Sequence, residues 1–159
     1  MLTDDVQEFV RRQRLGFVAT ISPAGLPAVS PKGTTTVWDA HHLVFADIAS
    51  PGTVRNLRSN PAVQVNVVDV FQRRGYRFTG LGHVHDDDPT YRRGVEFYIE
   101  RGLAASESRV RSIVLIEVTA VEPLWSPAYD LGKSEDDVQA QWWSYWAELR
   151  GPGSVNPAG

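Results

Sequence analysis

The chain has 159 residues, of which 42% are apolar, and this length and composition suit one domain with a packed core. Its net charge is −3 with both signs scattered, so no basic field points to a nucleic-acid partner. The chain has no cysteine, which excludes a disulfide framework and thiolate chemistry and suits the cytoplasm. No apolar run approaches the roughly 18 residues of a membrane span, and the acidic start of the chain predicts no secretory signal.

The first predicted elements are a helix and a β-hairpin. Thr3 is placed to cap the helix, because the apolar residues after it recur at helical spacing. A strand is predicted over 16–22, where β-branched and aromatic residues dominate. The turn at 23–25 then leads into a second strand over 27–38.

The second predicted strand contains Pro31 and Gly33, which interior strands rarely carry. Proline in a strand points to a sheet edge or a bulge, and glycine points to a close approach by another group. Both are therefore expected where a flat ligand lies against the strand.

The remaining elements follow the same rules of periodicity and punctuation. In chain order they are a strand over 43–47, a short helix that opens at 50–53 and ends at 60–61, strands over 62–68 and 76–85, a helix from 88 to 101, and a strand over 112–121. Six strands with helical excursions predict a mainly β, α+β fold, namely a six-stranded closed or split β-barrel with peripheral helices and an aromatic C-terminal helix, and they fit a parallel α/β sheet less well. Residues 1–150 are predicted to form this single domain, and 151–159 a flexible tail.

The C-terminal helix is predicted from its caps. Ser134 is the capping residue, Asp137 stands at the capping-box position, and Gly151 lies just beyond the end. Its apolar residues form one broad stripe: Val138, Trp142, Tyr145, Trp146 and Leu149, with Trp143 pointing elsewhere. Exposed aromatic residues are unfavourable, so the helix is expected to pack either on its own barrel or on a second copy of the chain.

Residues 27–65 carry the most information about function. A lone cation, Lys32, lies beside Gly33 and three threonines, and the small-residue loop at 50–53 opens a helix. Free backbone N–H groups and the positive end of the helix dipole make such a helix start a natural seat for an anion. A lysine from a neighbouring strand would complete a phosphate site. The alternatives are a solvent-facing lysine and a plain helix N-terminus.

The segment 43–65 resembles, without gaps, the flavin-binding half of the pyridoxamine 5′-phosphate oxidase-like split barrels. It has their apolar strand, Ser/Gly-rich loop and helix closed by Asn-Pro. The resemblance implies this fold over about 15–125, with FMN held across a homodimer interface. If the C-terminal helix packs on a second copy of the chain, that contact is expected near the flavin. The cofactor-binding residues that it implies are Pro31, Lys32, Gly33, Thr34, Ala46, Asp47, Ser50, Pro51, Gly52, Thr53, Asn56 and Arg77.

The chain departs from the family pattern on the strand that carries the cation. Many relatives have Arg and Lys where this chain has Pro31 and Thr36, so Lys32 is out of register by one residue. A shift of one residue moves a side chain to the other face of a strand, and a bulge at Pro31 would restore the family arrangement.

The loop departs from the family pattern as well. Gly52 and Thr53 stand where many relatives have basic residues, which leaves backbone N–H groups and a hydroxyl to hold the phosphate. Arg55 and Arg77 are candidates for the missing charge, or else they are surface salt-bridge partners.

Other sites are not predicted. His83 and His85 share a strand face, but a zinc site needs three or four converging ligands, and the acidic residues 86–88 are better explained as the lead-in to a helix. No metal is therefore expected. The Gly-Leu-Gly at 80–82 lacks the third glycine of a dinucleotide fingerprint and indicates close packing or a bulge.

The resemblance implies an FMN-binding flavoprotein that acts as a flavin-dependent oxidoreductase, with hydride or electrons carried by the flavin ring. Pyridoxamine 5′-phosphate oxidase itself is not expected, because its Arg-x-His motif is absent and no histidine follows His85. The alternatives are a flavin-binding or electron-carrier module without its own substrate, and the same barrel binding a deazaflavin or haem. The expected partners are a second copy of the chain and a small-molecule substrate or electron donor, but neither nucleic acid nor membrane.

Overall fold

Residues 1–103 and 109–151 are described by the computed structural model of the chain. Across them, seven strands and four helices follow one another. In chain order these are α1 (Asp4–Gln13), β1 (Gly16–Ile21), β2 (Pro27–Lys32), β3 (Thr36–Val37), β4 (His42–Asp47), α2 (Pro51–Ser59), β5 (Ala62–Asp69), β6 (Arg74–His85), α3 (Pro89–Glu100), β7 (Ser112–Trp125) and α4 (Glu135–Arg150).

The strands form one antiparallel sheet in the order β2-β1-β5-β6-β7-β4-β3. The sheet curls strongly. As a result, the Lys32 ammonium at the end of β2 lies 5.8 Å from the ring centroid of Phe45 on β4. Those two strands stand near opposite ends of the strand order, so the curl brings the ends together and leaves a seam between them. The predicted mainly β split barrel is confirmed.

The predicted strand over 27–38 is broken in two, which makes seven strands instead of six. A turn separates β2 from β3, and in it the Thr35 N–H donates to the Lys32 carbonyl at 3.2 Å. The turn carries the chain across the seam, from the β2 edge of the sheet to the β3 edge.

The position of Pro31 follows one expectation and contradicts another. Strand β2 is an edge strand, as a proline in a strand predicts. However, the pairing of β1 with β2 runs unbroken through Phe17 and Pro31, so the bulge suggested there was wrong. The register shift lies between Thr79 and Gly80 on β6.

The core fills the concave side of the sheet. Its central row consists of Val18, Val65 and Phe78, which are paired neighbours on β1, β5 and β6 and are fully buried. A second cluster lies on the opposite face of β4 and β7, around Tyr98 of α3 and Ile113, since its strand residues alternate with those of the first cluster. Each such side chain contributes about 1.5–3 kcal/mol relative to an exposed one.

Two glycines of β6 allow other elements to come close. A Cβ atom at Gly80 would lie 2.2 Å from the Glu117 carbonyl oxygen, and one at Gly82 would lie 2.9 Å from the Leu57 side chain. The predicted close packing around 80–82 is therefore present. Because Leu57 belongs to α2, this contact fixes the helix against the sheet.

The helix caps agree with the sequence in part. Thr3 stands at the N-cap of α1, but its hydroxyl makes no cap bond. The side chain of Asp88 caps α3, accepting a hydrogen bond from the Tyr91 N–H at 2.8 Å. The capping box of Ser134 and Asp137 is complete.

Helix α4 packs on its own barrel through its first half only. Val138 is buried, Trp142 is stacked under the Arg73 guanidinium at 3.9 Å, and the Trp143 ring lies 5.0 Å from Phe71. Most of the Trp143 side chain is nevertheless exposed, as are the large side chains further along: Tyr145, Trp146 and Leu149. Of the predicted tail at 151–159, all but Gly151 lies outside the described residues. No helix in the described part of the chain has the length and apolarity needed to cross a membrane.

Candidate functional site

A groove of about 410 Å³ separates the β1–β2 hairpin from the start of α2. We refer to it as the hairpin–helix groove. Hydroxyl groups line both of its walls: Thr20, Ser22 and Ser30 on the hairpin, and Ser50 and Thr53 at the helix start. Both walls can therefore form hydrogen bonds with a ligand.

The first turn of α2 presents an open N–H group to this groove. The Ser50 N–H donates to Asp47 Oδ1 at 2.7 Å, and the Ser50 carbonyl accepts from the Thr53 N–H at 3.1 Å. The Gly52 N–H has no acceptor among the described residues, and a Cβ atom at Gly52 would meet nothing within 4 Å. The helix start is thus accessible, with the partial positive charge of the helix dipole behind it.

Lys32 lies beside the groove and is not solvent-facing. Its side chain is 4% exposed, and its ammonium donates to Ser30 Oγ at 2.7 Å. No described carboxylate forms an ion pair with it. Burial lowers the pKa of Lys32, and the nearby Asp47 carboxylate opposes that shift. An ammonium has three donors, so this buried cation has donors left for a ligand.

Asn56 is the third unusual group at the groove. It is 4% exposed, and its Nδ2 donates to Thr20 Oγ1 at 3.0 Å, which joins α2 to the hairpin. Its Oδ1 is buried and has no hydrogen-bond partner among the described residues. Buried polar atoms are nearly always bonded, so the hydrogen bonding of this side chain is incomplete in the single chain.

Thr34 and Ala46 are joined to each other. The Thr34 hydroxyl accepts from the Ala46 N–H at 3.0 Å and donates to the Ala46 carbonyl at 3.1 Å. The Tyr98 hydroxyl donates to the Thr34 carbonyl at 2.8 Å, and burial raises the pKa of Tyr98. These bonds hold the turn after Lys32 on β4, so both residues position the turn.

Gly33 and Pro51 are open to solvent. A Cβ atom at Gly33 would meet nothing within 4 Å, so no described group of the chain makes the close approach expected there. Pro51 occupies the first turn of α2 and lines the groove, where its missing N–H breaks no helical bond.

Two of the predicted site residues lie on the other face of the sheet. Pro31, Phe17, Asn66 and Arg77 are successive partners across β2, β1, β5 and β6, so they form one row. This row is on the outer, convex face, whereas Lys32 points inward. The guanidinium of Arg77 lies 3.8 Å from the Glu122 carboxylate and is not brought to the groove by the single chain.

The hydroxyl groups on the hairpin wall of the groove were not predicted from the sequence. Ser30 lies two residues before Lys32 and therefore shares its face of the strand. Thr20 is the partner of Ala28, a register that the turn at 23–25 determines. Strand alternation and hairpin register were the signals that could have found both residues.

His83 and His85 each lie beside a carboxylate. His85 Nδ1 lies 2.6 Å from Asp88 Oδ2, and His83 Nε2 lies 3.8 Å from the Glu117 carboxylate. Within the ranges that the structure describes, no three His, Cys, Asp or Glu side chains are grouped as a metal site would require.

Comparison with known proteins places the chain in a family. The family model described as pyridoxamine 5′-phosphate oxidase matches residues 2–124. No curated protein matches the sequence. The match ends before α4, so that helix is an addition to the part of the chain that the family model covers.

Three solved structures share the fold. HupZ of Group A Streptococcus has a TM-score of 0.70 at 23% identity, covering 79% of this chain and 96% of its own. A protein named F420 reductase has a TM-score of 0.58 at 24% identity, covering 76% and 98%. An FMN-binding protein from Syntrophomonas wolfei subsp. wolfei has a TM-score of 0.63 at 9% identity, covering 77% and 85%. At these identities the three structures establish a common fold.

The family model spans most of the chain and includes every element that forms the hairpin–helix groove. The chain therefore belongs to the pyridoxamine 5′-phosphate oxidase family.

Proposed function

We propose that the chain binds FMN, with the phosphate in the hairpin–helix groove, and acts as a flavin-dependent oxidoreductase other than pyridoxamine 5′-phosphate oxidase. One observation carries the proposal. Gly52 places an open helix-start N–H on one wall of the groove, and Ser30 on the opposite wall accepts a hydrogen bond from the buried Lys32 ammonium, which has no ion pair among the described residues.

The groups around the groove fit a phosphate monoester. Such a group carries about two negative charges at pH 7 and three acceptor oxygens. Gly52 and Thr53 offer donors at the positive end of α2, and Lys32 offers charge from the hairpin side. Arg55 also lines the groove and adds a second cation at its rim.

The incomplete hydrogen bonding of Asn56 fits the part of the ligand next to the phosphate. Its unpartnered Oδ1 is an acceptor. The sugar-alcohol chain of FMN carries hydroxyl donors adjacent to the phosphate, which an acceptor at this depth would suit.

In this proposal the flavin ring, when bound, supplies the hydride and electron chemistry. The chain itself anchors the phosphate, orients the molecule and excludes water, and it needs no acid or base for hydride transfer. We expect this activity in the cytoplasm, which a chain without cysteine suits.

We propose that the active form is a homodimer that shares the cofactor. The outer face of the sheet exposes Phe17 and Val29 on the hairpin and Leu81 on β6. Exposed apolar side chains on one face of a sheet favour an interaction surface there. Pro31 and Arg77 lie on the same outer face, so a second copy packed there would give both residues access to a shared ligand.

A deazaflavin is the second candidate cofactor. It is favoured by one observation, the shared fold of the protein named F420 reductase. The same groove would then hold a phosphate of that cofactor. A protein that carries flavin without a substrate of its own would use the same groove as well.

The absorption spectrum of the purified protein tests the proposal, because flavin, deazaflavin and haem absorb differently. The apo-protein is then titrated with FMN and with FAD while flavin fluorescence is followed. We expect FMN to bind more tightly, since the groove offers one open N–H and one buried ammonium, enough for a single phosphate. Tighter binding of FAD, or no binding of either flavin, would overturn the assignment.

A further inference from the structure

A second groove, of about 490 Å³, lies on the other side of α2. We refer to it as the arginine groove, because three arginines line it: Arg55 and Arg58 on α2, and Arg111, which immediately precedes β7. Two carboxylates, Asp47 and Asp86, line it as well.

Neither carboxylate forms an ion pair with Arg55 or Arg111. Asp86 forms an ion pair with Arg58. Asp47 is 3% exposed and accepts the Ser50 N–H at 2.7 Å, and its carbonyl accepts the Arg111 N–H at 2.8 Å. That last bond holds the Arg111 backbone at the wall of the groove.

Two guanidinium groups therefore remain in the arginine groove without a carboxylate partner at ion-pair distance. Neither Arg55 nor Arg111 forms an ion pair with a carboxylate of residues 1–103 or 109–151. A guanidinium presents paired N–H donors that match the two oxygens of a carboxylate or a phosphate. Two of them at one groove make a surface for an oxyanion.

We infer that the arginine groove is a second oxyanion site, which binds the carboxylate or phosphate group of a small molecule other than the flavin. The inference goes beyond the proposed function and does not require flavin to bind. Pro51 and Arg55 line both grooves, so the two sites share one wall of α2. A reactant bound there would lie beside the cofactor that we propose for the first groove.

The test uses the full-length chain saturated with FMN and titrates it calorimetrically with malonate and, separately, with inorganic phosphate. We expect saturable binding of at least one of the two anions. Arg111→Gln should weaken that binding about tenfold or more, because it removes one fork of charge-assisted bonds. Arg111→Lys should weaken it less, since the charge remains.

Arg92→Gln is the matched control. Arg92 lies on α3, its side chain is 70% exposed, and it lines neither groove. We expect Arg92→Gln to leave anion binding unchanged, and both glutamine variants to retain FMN affinity and the melting temperature. Equal loss in the two variants would mean diffuse attraction to surface charge and would overturn the inference, as would the absence of binding by either anion.

Failure of the proposed function remains distinguishable from failure of this inference. If FMN does not bind, the anion titrations are repeated on Gly52→Asp, which places a carboxylate at the hairpin–helix groove and leaves the arginine groove intact. Saturable binding that still depends on Arg111 supports the second site. Anion binding that disappears with Gly52→Asp assigns the anion to the first groove and overturns the inference.

Discussion

Lys32 combines two properties that rarely occur together in one side chain. It is almost fully buried, and its ammonium donates a hydrogen bond to the hydroxyl of Ser30. A buried charge that is not in an ion pair destabilises a folded chain, and the nearby Asp47 carboxylate offsets this only in part. An incoming phosphate would relieve that unfavourable energy, so the residue is suited to bind an anion tightly and specifically.

The first prediction concerns the groups that hold the phosphate. Charge-assisted hydrogen bonds contribute roughly 1.5–3 kcal/mol, so Lys32→Ala should weaken FMN binding by about one to two orders of magnitude. Thr53→Ala should weaken it less, because the backbone N–H groups survive the change. Gly52→Asp should weaken it most, because it places a carboxylate beside the anion. Fluorescence titration of each variant measures the affinities.

Riboflavin is the control for this series, because it lacks the phosphate. Its affinity should hardly respond to the three substitutions. If Lys32→Ala leaves FMN affinity unchanged while Arg55→Ala or Arg77→Ala abolishes it, an arginine and not Lys32 is the cation of the anion site.

The second prediction concerns pH. Lys32 binds phosphate as the ammonium, and burial lowers its pKa below the ordinary value of 10.5. FMN affinity should therefore fall as pH rises through that lowered pKa, before an exposed lysine would lose its proton. Lys32→Arg should retain affinity to higher pH, because the guanidinium has a pKa above about 12.

The measurement is a set of FMN titrations between neutral pH and about pH 10, with riboflavin in parallel. Riboflavin has the same ring and lacks the phosphate, so its curve corrects for ionisation of the flavin itself. A wild-type FMN curve that runs parallel to the riboflavin curve would remove Lys32 from the site.

Among the elements, α2 was the easiest to predict and β3 the hardest. Pro51 at the start of α2 and Asn60 at its end are strong local signals, and both bounds agree with the structure. The break before β3 falls within threonines, which favour strands. That turn is fixed by distant partners, the Ala46 backbone and the Tyr98 hydroxyl, which no local pattern reveals.

The third prediction concerns α4. This helix follows the residues that the family model covers, and Val138 is its buried residue. A chain ending at residue 133 should therefore remain folded. We expect it to lose dimer and FMN affinity together, because the exposed second half of α4 is available to pack on a partner beside the cofactor.

Light scattering and FMN titration of the shortened chain measure both effects, and its melting curve reports whether the barrel is intact. A shortened chain that remains dimeric with unchanged FMN affinity would show that α4 packs on its own barrel alone.

At the scale of the whole molecule, the fourth prediction is a two-fold dimer of about 35 kDa, twice the 17.7 kDa chain, since two-fold symmetry is the commonest closed arrangement. Leu81→Arg should shift the protein toward monomer, because it places a charge on the outer face of the sheet. Leu131→Arg is the matched control, as Leu131 is 83% exposed and outside the strands. A stable wild-type monomer that still binds flavin would contradict the proposed dimer.

The general fold was predictable, but the full arrangement of the site was not. Ordered motifs over 43–65 were enough to identify the family, and the structure brings the 50–53 loop and Asn56 to one groove. Arg77 could not be placed, because the face that a strand residue occupies depends on register across four strands. Pro31 and Lys32 are neighbours on one strand, so alternation places their side chains on opposite faces of the sheet.

The edge position of β2 also affects how the protein behaves at high concentration. A free sheet edge can recruit strands from other chains and start aggregation. Two of the six residues of β2, Pro27 and Pro31, have no backbone N–H, so an incoming strand would meet an interrupted row of donors. The two prolines therefore disfavour the addition of strands at this edge, which protects the chain from growing into fibres by that route.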